Sequence, residues 1–83
     1  VSRYLVEFNS NDIALNMAGF DVCLAITALD LPLDIIVDVS AAALLLKLKS
    51  LSDYGISAVY TKKLLTTVEY EALLKNTNVH LFF

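Results

Sequence analysis

Residues 19–38, GFDVCLAITALDLPLDIIVD, change hydrophobic period partway along. Leu24, Ala25, Ala28 and Leu29 recur at helical spacing, and Leu33, Ile35, Ile36 and Val37 then form the short apolar run of a buried strand. Asp30, beside Pro32, reads as a turn residue between them. A helix feeding straight into a strand that is apolar on both faces is the pattern of a parallel sheet covered on both sides. Upstream, residues 3–8 (RYLVEF) have the aromatic and β-branched content of a first strand, and residues 9–12 supply turn and N-cap chemistry. The first helix then falls within residues 13–29 with Gly19 inside it. Alternatively Gly19 marks its start and residues 9–18 form a long loop; propensity leaves both open.

Residues 33–39 form the second strand. Ser40 or Asp38 can cap a second helix that runs through Ala41, Leu44, Leu45, Leu48 and Leu51 and ends at residues 52–55. Residues 56–60 make a short third strand. Thr66 and Glu69 have the spacing of a capping box, which predicts a helix from Thr67 to about Lys75. Residues 76–78 break it, and residues 79–83 form a last strand. The order β-α-β-α-β-α-β predicts one α/β domain over residues 1–83, a three-layer α/β/α arrangement with a mainly parallel sheet. Both the step from the second strand into the second helix and the link over residues 60–66 are short. Loops of this kind carry ligands in such folds, so little room is left for a loop-built site.

Composition changes this picture in one respect. Hydrophobic residues make up 58% of the chain and charged ones only 18%, against about 25% charged in an average soluble domain. A domain of this size has too little interior to hide so much apolar surface, so part of it is expected to face another subunit, a sister chain or a second copy. A membrane is the weaker explanation, because the run from Ala41 to Leu46 stops at Lys47, short of the roughly 20 apolar residues a spanning helix needs. No charged segment followed by a secretory apolar segment is visible, which gives a cytoplasmic expectation. The net charge of −3 offers no basic patch for nucleic acid. Lys47 with Lys49 and Lys62 with Lys63 read as solvated pairs.

Few residues invite chemistry. The single cysteine, Cys23, excludes an internal disulfide framework and any CxxC motif, and one His far from one Cys gives no metal set. Cys23 lies between Val22 and Leu24 in an apolar helix, where burial without a cation raises a thiol's pKa, so it reads as packing. Alternation sets His80 on the face opposite Val79 and Leu81, with no partner legible nearby; it reads as a structural or interface histidine. Asp34 and Asp38 frame the second strand. With only Gly19 and Gly55, no glycine loop can cradle a phosphate, and no nucleophile elbow presents a serine. No catalytic, cofactor-binding or metal-binding residue is therefore expected, and no cofactor.

Three segments together resemble a family. FDVCLAITALDLPLDIIVDVSAAALL, then LKSLSDYGI with SAVY, then LTTVEYEALLKNTNVHLFF resemble the DsrE/DsrF-type sulfur-relay proteins, and among them the TusC/DsrF subunit. The helix over residues 19–28 before a strand ending in Asp38 carries the likeness. So do the Leu51, Tyr54, Ile56 turn and the acidic helix, Asn and Phe-ending strand over residues 69–83. The resemblance implies a subunit of a heterohexamer built from three related proteins as two heterotrimers. Such a complex hands on sulfur as a cysteine persulfide for 2-thiolation of the tRNA wobble uridine, or for sulfur oxidation, without the tRNA needing to touch this chain. In the catalytic sister subunit the active cysteine follows the third strand in a Val-Cys-like step. The matching step here is Val59-Tyr60, and Tyr60 has no sulfur. The reading that follows is a non-catalytic subunit, not an enzyme by itself. Its rivals are a sulfurtransferase subunit using Cys23 and a stand-alone flavodoxin- or receiver-like binding module.

Overall fold

The computed structural model describes residues 2–38, 42–51, 56 and 58–83. The elements follow as β1 (Tyr4–Phe8), α1 (Ile13–Ala28), β2 (Leu33–Val37), α2 (Ala42–Ser50), β3 (Ala58–Thr61), a short 3-10 helix (Lys62–Leu64), α3 (Thr67–Lys75) and β4 (Val79–Phe82). The four strands make one sheet in the order β3-β2-β1-β4, and every pair in it is parallel. The α/β class expected from the sequence is what the structure has.

Parallel neighbours need crossover helices, and right-handed crossovers fix which side each helix takes. The chain steps from β1 to β2 to β3 in one direction, then returns over β2 and β1 to place β4 on the far side of β1. The first two crossovers therefore lie on one face and the third on the other. The contacts agree: Cys23 and Ile26 of α1 and Leu44 and Leu48 of α2 share one core with Val6, Phe8, Leu33, Ile35 and Val37. On the opposite face, Tyr70 of α3 reaches Glu7.

Local chemistry sets the ends of the helices. Asp12 caps α1, its carboxylate accepting from the Leu15 N–H at 3.0 Å, so the helix begins at Ile13 and not at Gly19. Gly19 is buried within that helix, where an added Cβ would stand 2.4 Å from Phe8 Cε1 and 2.9 Å from Phe83 Cγ. Glycine is there to let α1 lie close against the aromatic ends of β1 and β4. Asp30 turns the chain at φ 56°, a left-handed conformation that Asp tolerates. The capping box opens α3: Thr66 Oγ1 accepts from the Glu69 N–H, and the Glu69 carboxylate accepts from the Thr66 N–H. The expected cap at Ser40 and the expected stop at residues 52–55 lie outside the described residues.

Helical spacing alone does not orient α1. Leu24, Ala25, Ala28 and Leu29, whose spacing announces the helix, face outward, and the core side is formed by Gly19, Cys23, Ile26 and Thr27. Residues 13–28 are apolar on both sides, so periodicity locates the helix without telling which side turns inward.

Candidate functional site

In open parallel sheets ligands collect beyond the carboxyl ends of the strands, where the strand order reverses. Here that point is between β1 and β4, since the chain leaves β1 towards β2 on one face of the sheet while β4 is reached by the one crossover that runs back over the other face. Glu7, next to last in β1, stands at this place with its side chain on the α3 face and is fully buried, at 0 % exposure. A buried carboxylate must be paired and hydrogen-bonded. Four groups from four parts of the chain do this. Tyr70 of α3 donates its hydroxyl to Oε1, and His80 Nε2 of β4 lies 2.9 Å from the same oxygen. Lys62 Nζ from the 3-10 helix after β3 is 3.6 Å from Oε2, and Asn9 Nδ2 donates to Oε2 at 3.4 Å.

Two opposed effects set the protonation of Glu7. Burial favours the neutral acid and is the largest single influence, but the Tyr70 hydroxyl, the Lys62 charge, Asn9 and His80 together outweigh it and hold the carboxyl below its usual range. The reciprocal effect acts on Tyr70, whose hydroxyl is pushed up to about 12 chiefly by donating to Glu7. Lys62 also lies 5.7 Å from the centre of the Tyr70 ring, within reach of a cation–π attraction, and 3.9 Å from Asp38 Oδ2. His80 packs on Phe82 with ring centres 4.0 Å apart.

The chemistry of this cluster is that of a fastener. Both oxygens of Glu7 are engaged by donors of the chain itself, which leaves the carboxylate poorly placed to ligate or deprotonate anything else. Helix α3 has no fully buried residue of its own, so the Glu7 cluster adds a polar tie to the sheet beside the partly buried Leu73 and Leu74. Among the described residues, no group of three His, Cys, Asp or Glu side chains is placed to share a metal ion.

The residues singled out from the sequence fall in different places. Cys23 is fully buried in the α1 core, and burial pushes its thiol up to about 12. Tyr60 lies on β3, opposite Ile36 and half-buried, remote in fold from Cys23, which sits on the other side of the sheet. His80, read as a structural or interface histidine, is half-buried and pairs with Glu7, a partner not legible in the sequence. Lys62 is likewise no simple solvated lysine, since it bridges Glu7 and Asp38. Asp34 is buried and joined to Arg3, whose Nη2 lies 3.2 Å from Oδ2. Glu7 itself is absent from the sequence reading. Its one signal is a charge inside a strand that is apolar on both sides.

A second feature lies on the other face of the sheet. The outward side of α1 is almost wholly apolar, with Ile13 75 % and Leu29 70 % exposed and Leu15, Met17 and Leu24 also open. Asp21 is the single charged residue between Ile13 and Leu29. Between α1 and α2 runs a groove of about 200 Å³, walled by Ile13, Met17, Phe20 and Leu44, with Asp21 and Lys47 at its sides. Asn16 lines it too, and its Oδ1 is buried without a hydrogen-bond partner among the described residues.

No helix among the described residues is long and apolar enough to cross a membrane. Searched against protein-family models, curated proteins and solved structures, the chain matches none of them.

Proposed function

We propose that this chain is a non-catalytic subunit of a cytoplasmic sulfur-relay complex, packing beside thiol-bearing sister chains in a heterohexamer. The complex is of the kind that passes persulfide sulfur towards 2-thiolation of the tRNA wobble uridine or a related sulfur oxidation. The likeness of residues 19–28, 51–56 and 69–83 to the TusC/DsrF subunit suggests the pathway. The role within it is supported by one observation above the rest: the only cysteine is fully buried, with its thiol raised to about 12. A persulfide carrier needs an exposed sulfur that ionises near neutrality, and Cys23 is neither. Tyr60, at the position of the sister subunit's cysteine, supplies no sulfur in its place. The apolar outer side of α1 fits a chain that works in contact with others.

Affinity purification of the tagged chain from its own cells, with mass spectrometry, tests this reading. Related α/β chains should co-purify in fixed stoichiometry, at least one carrying a cysteine just after its third strand. Replacing Cys23 with Ser should leave tRNA 2-thiolation intact. Purification without sister chains, or loss of thiolation in the Cys23→Ser strain, would refute it.

A further inference from the structure

The groove between α1 and α2 joins three properties that are unusual together. Its walls are apolar, its two sides carry opposite charges, and those charges are not paired with each other. Asp21 on α1 and Lys47 on α2 are both exposed, and no ion pair joins either of them to another side chain among the described residues. A strongly basic partner would be repelled by Lys47 and a strongly acidic one by Asp21. A lipid surface would have to take up the Asp21 carboxylate in the middle of the α1 stripe. One occupant meets both charges by symmetry alone, because in a two-fold contact residue i of each copy meets residue j of the other.

We propose that this groove is where a second copy of the chain docks, across a two-fold axis that sets Asp21 of each copy against Lys47 of the other. Met17, Phe20 and Ile13 then lie between the two ion pairs, and their burial supplies most of the affinity while the charges set register and orientation. A stable interface takes about 800 Å² from each partner. The chain exposes 5060 Å² in all, and the side of it around this groove already carries Ile13, Met17 and Leu24 in the open. The proposal is argued from the groove's own residues and does not depend on the sulfur-relay reading.

Sedimentation equilibrium of the purified full chain tests it, with Asp21→Lys and Lys47→Glu as variants. Both positions are exposed, so circular dichroism should match the parent. The parent should show a monomer–dimer equilibrium. Each single change should weaken it about tenfold, because it turns two attractive pairs into two repulsive ones. An equimolar mixture of the two variants should recover the parent affinity, since every cross-pair is then attractive. A parent that stays monomeric, a dimer indifferent to both changes, a mixture without recovery, or an open-ended assembly would overturn the proposal.

Discussion

Replacing Glu7 with Gln probes the polar cluster that ties α3 to the sheet. The change keeps the shape of the side chain and removes its charge. Two close hydrogen bonds to that charge weaken, from the Tyr70 hydroxyl and from His80 at 2.9 Å. Bonds to a charged group contribute about 1.5–3 kcal/mol each, against about 1 for neutral ones. The Gln NH2 also turns a donor towards one or more of the donors that now surround the carboxylate. In the other direction, an amide escapes the desolvation cost of a buried carboxylate, which is the largest single influence on Glu7. The balance is a loss of about 2 kcal/mol at neutral pH, or roughly 10 °C in Tm for a domain of this size. The pH dependence carries the sharper test. The folded pKa of Glu7 is depressed, so its stabilisation is present above the unfolded value of about 4.3 and is lost as pH falls through the folded value. Urea unfolding of parent and variant should therefore show a stability gap that is full near neutrality and closes in acid. A gap of the same size at both ends, or a Gln variant as stable as the parent at neutral pH, would refute the reasoning.

Three further outcomes follow from the packing. Gly19→Ala gains about 1 kcal/mol of helix propensity but puts a Cβ 2.4 Å from the buried Phe8 ring, so a net destabilisation of about 1–2 kcal/mol is expected; a more stable variant in urea unfolding would contradict it. Cys23 should resist iodoacetamide in the native protein near neutral pH and react fully once unfolded, because its thiol is buried and raised to about 12; native labelling at the unfolded rate would contradict this. Thr66→Ala removes the hydroxyl half of the α3 capping box and should cost about 1 kcal/mol, read as a lower urea midpoint with an unchanged slope; no shift in the midpoint would count against the cap.

What was legible in the sequence was what short-range chemistry decides. The capping box at Thr66 and Glu69 located α3 at Thr67–Lys75, and alternation placed His80 on the correct side of β4. The strands were read from their apolar runs to within two residues at each end. Where long-range contacts decide, the residues alone did not suffice. Propensity leaves Gly19 open as an interior helix residue or a helix start, because what decides it, the Phe8 and Phe83 rings, arrives from distant parts of the chain. The outward and inward sides of α1 were indistinguishable because both are apolar. The Glu7 cluster was missed because its members come from β1, the 3-10 helix, α3 and β4, which only the β3-β2-β1-β4 order brings together. A carboxylate in the middle of an apolar strand should draw a search for its partners even when none is near in sequence.

The central claim is that this chain belongs to a sulfur relay without carrying sulfur itself. It is tested most directly by loading the purified complex with sulfur from a cysteine-persulfide donor and weighing each intact chain by mass spectrometry. A sister chain should gain the mass of a sulfur atom while this chain keeps its own. A persulfide on Cys23 would contradict the account.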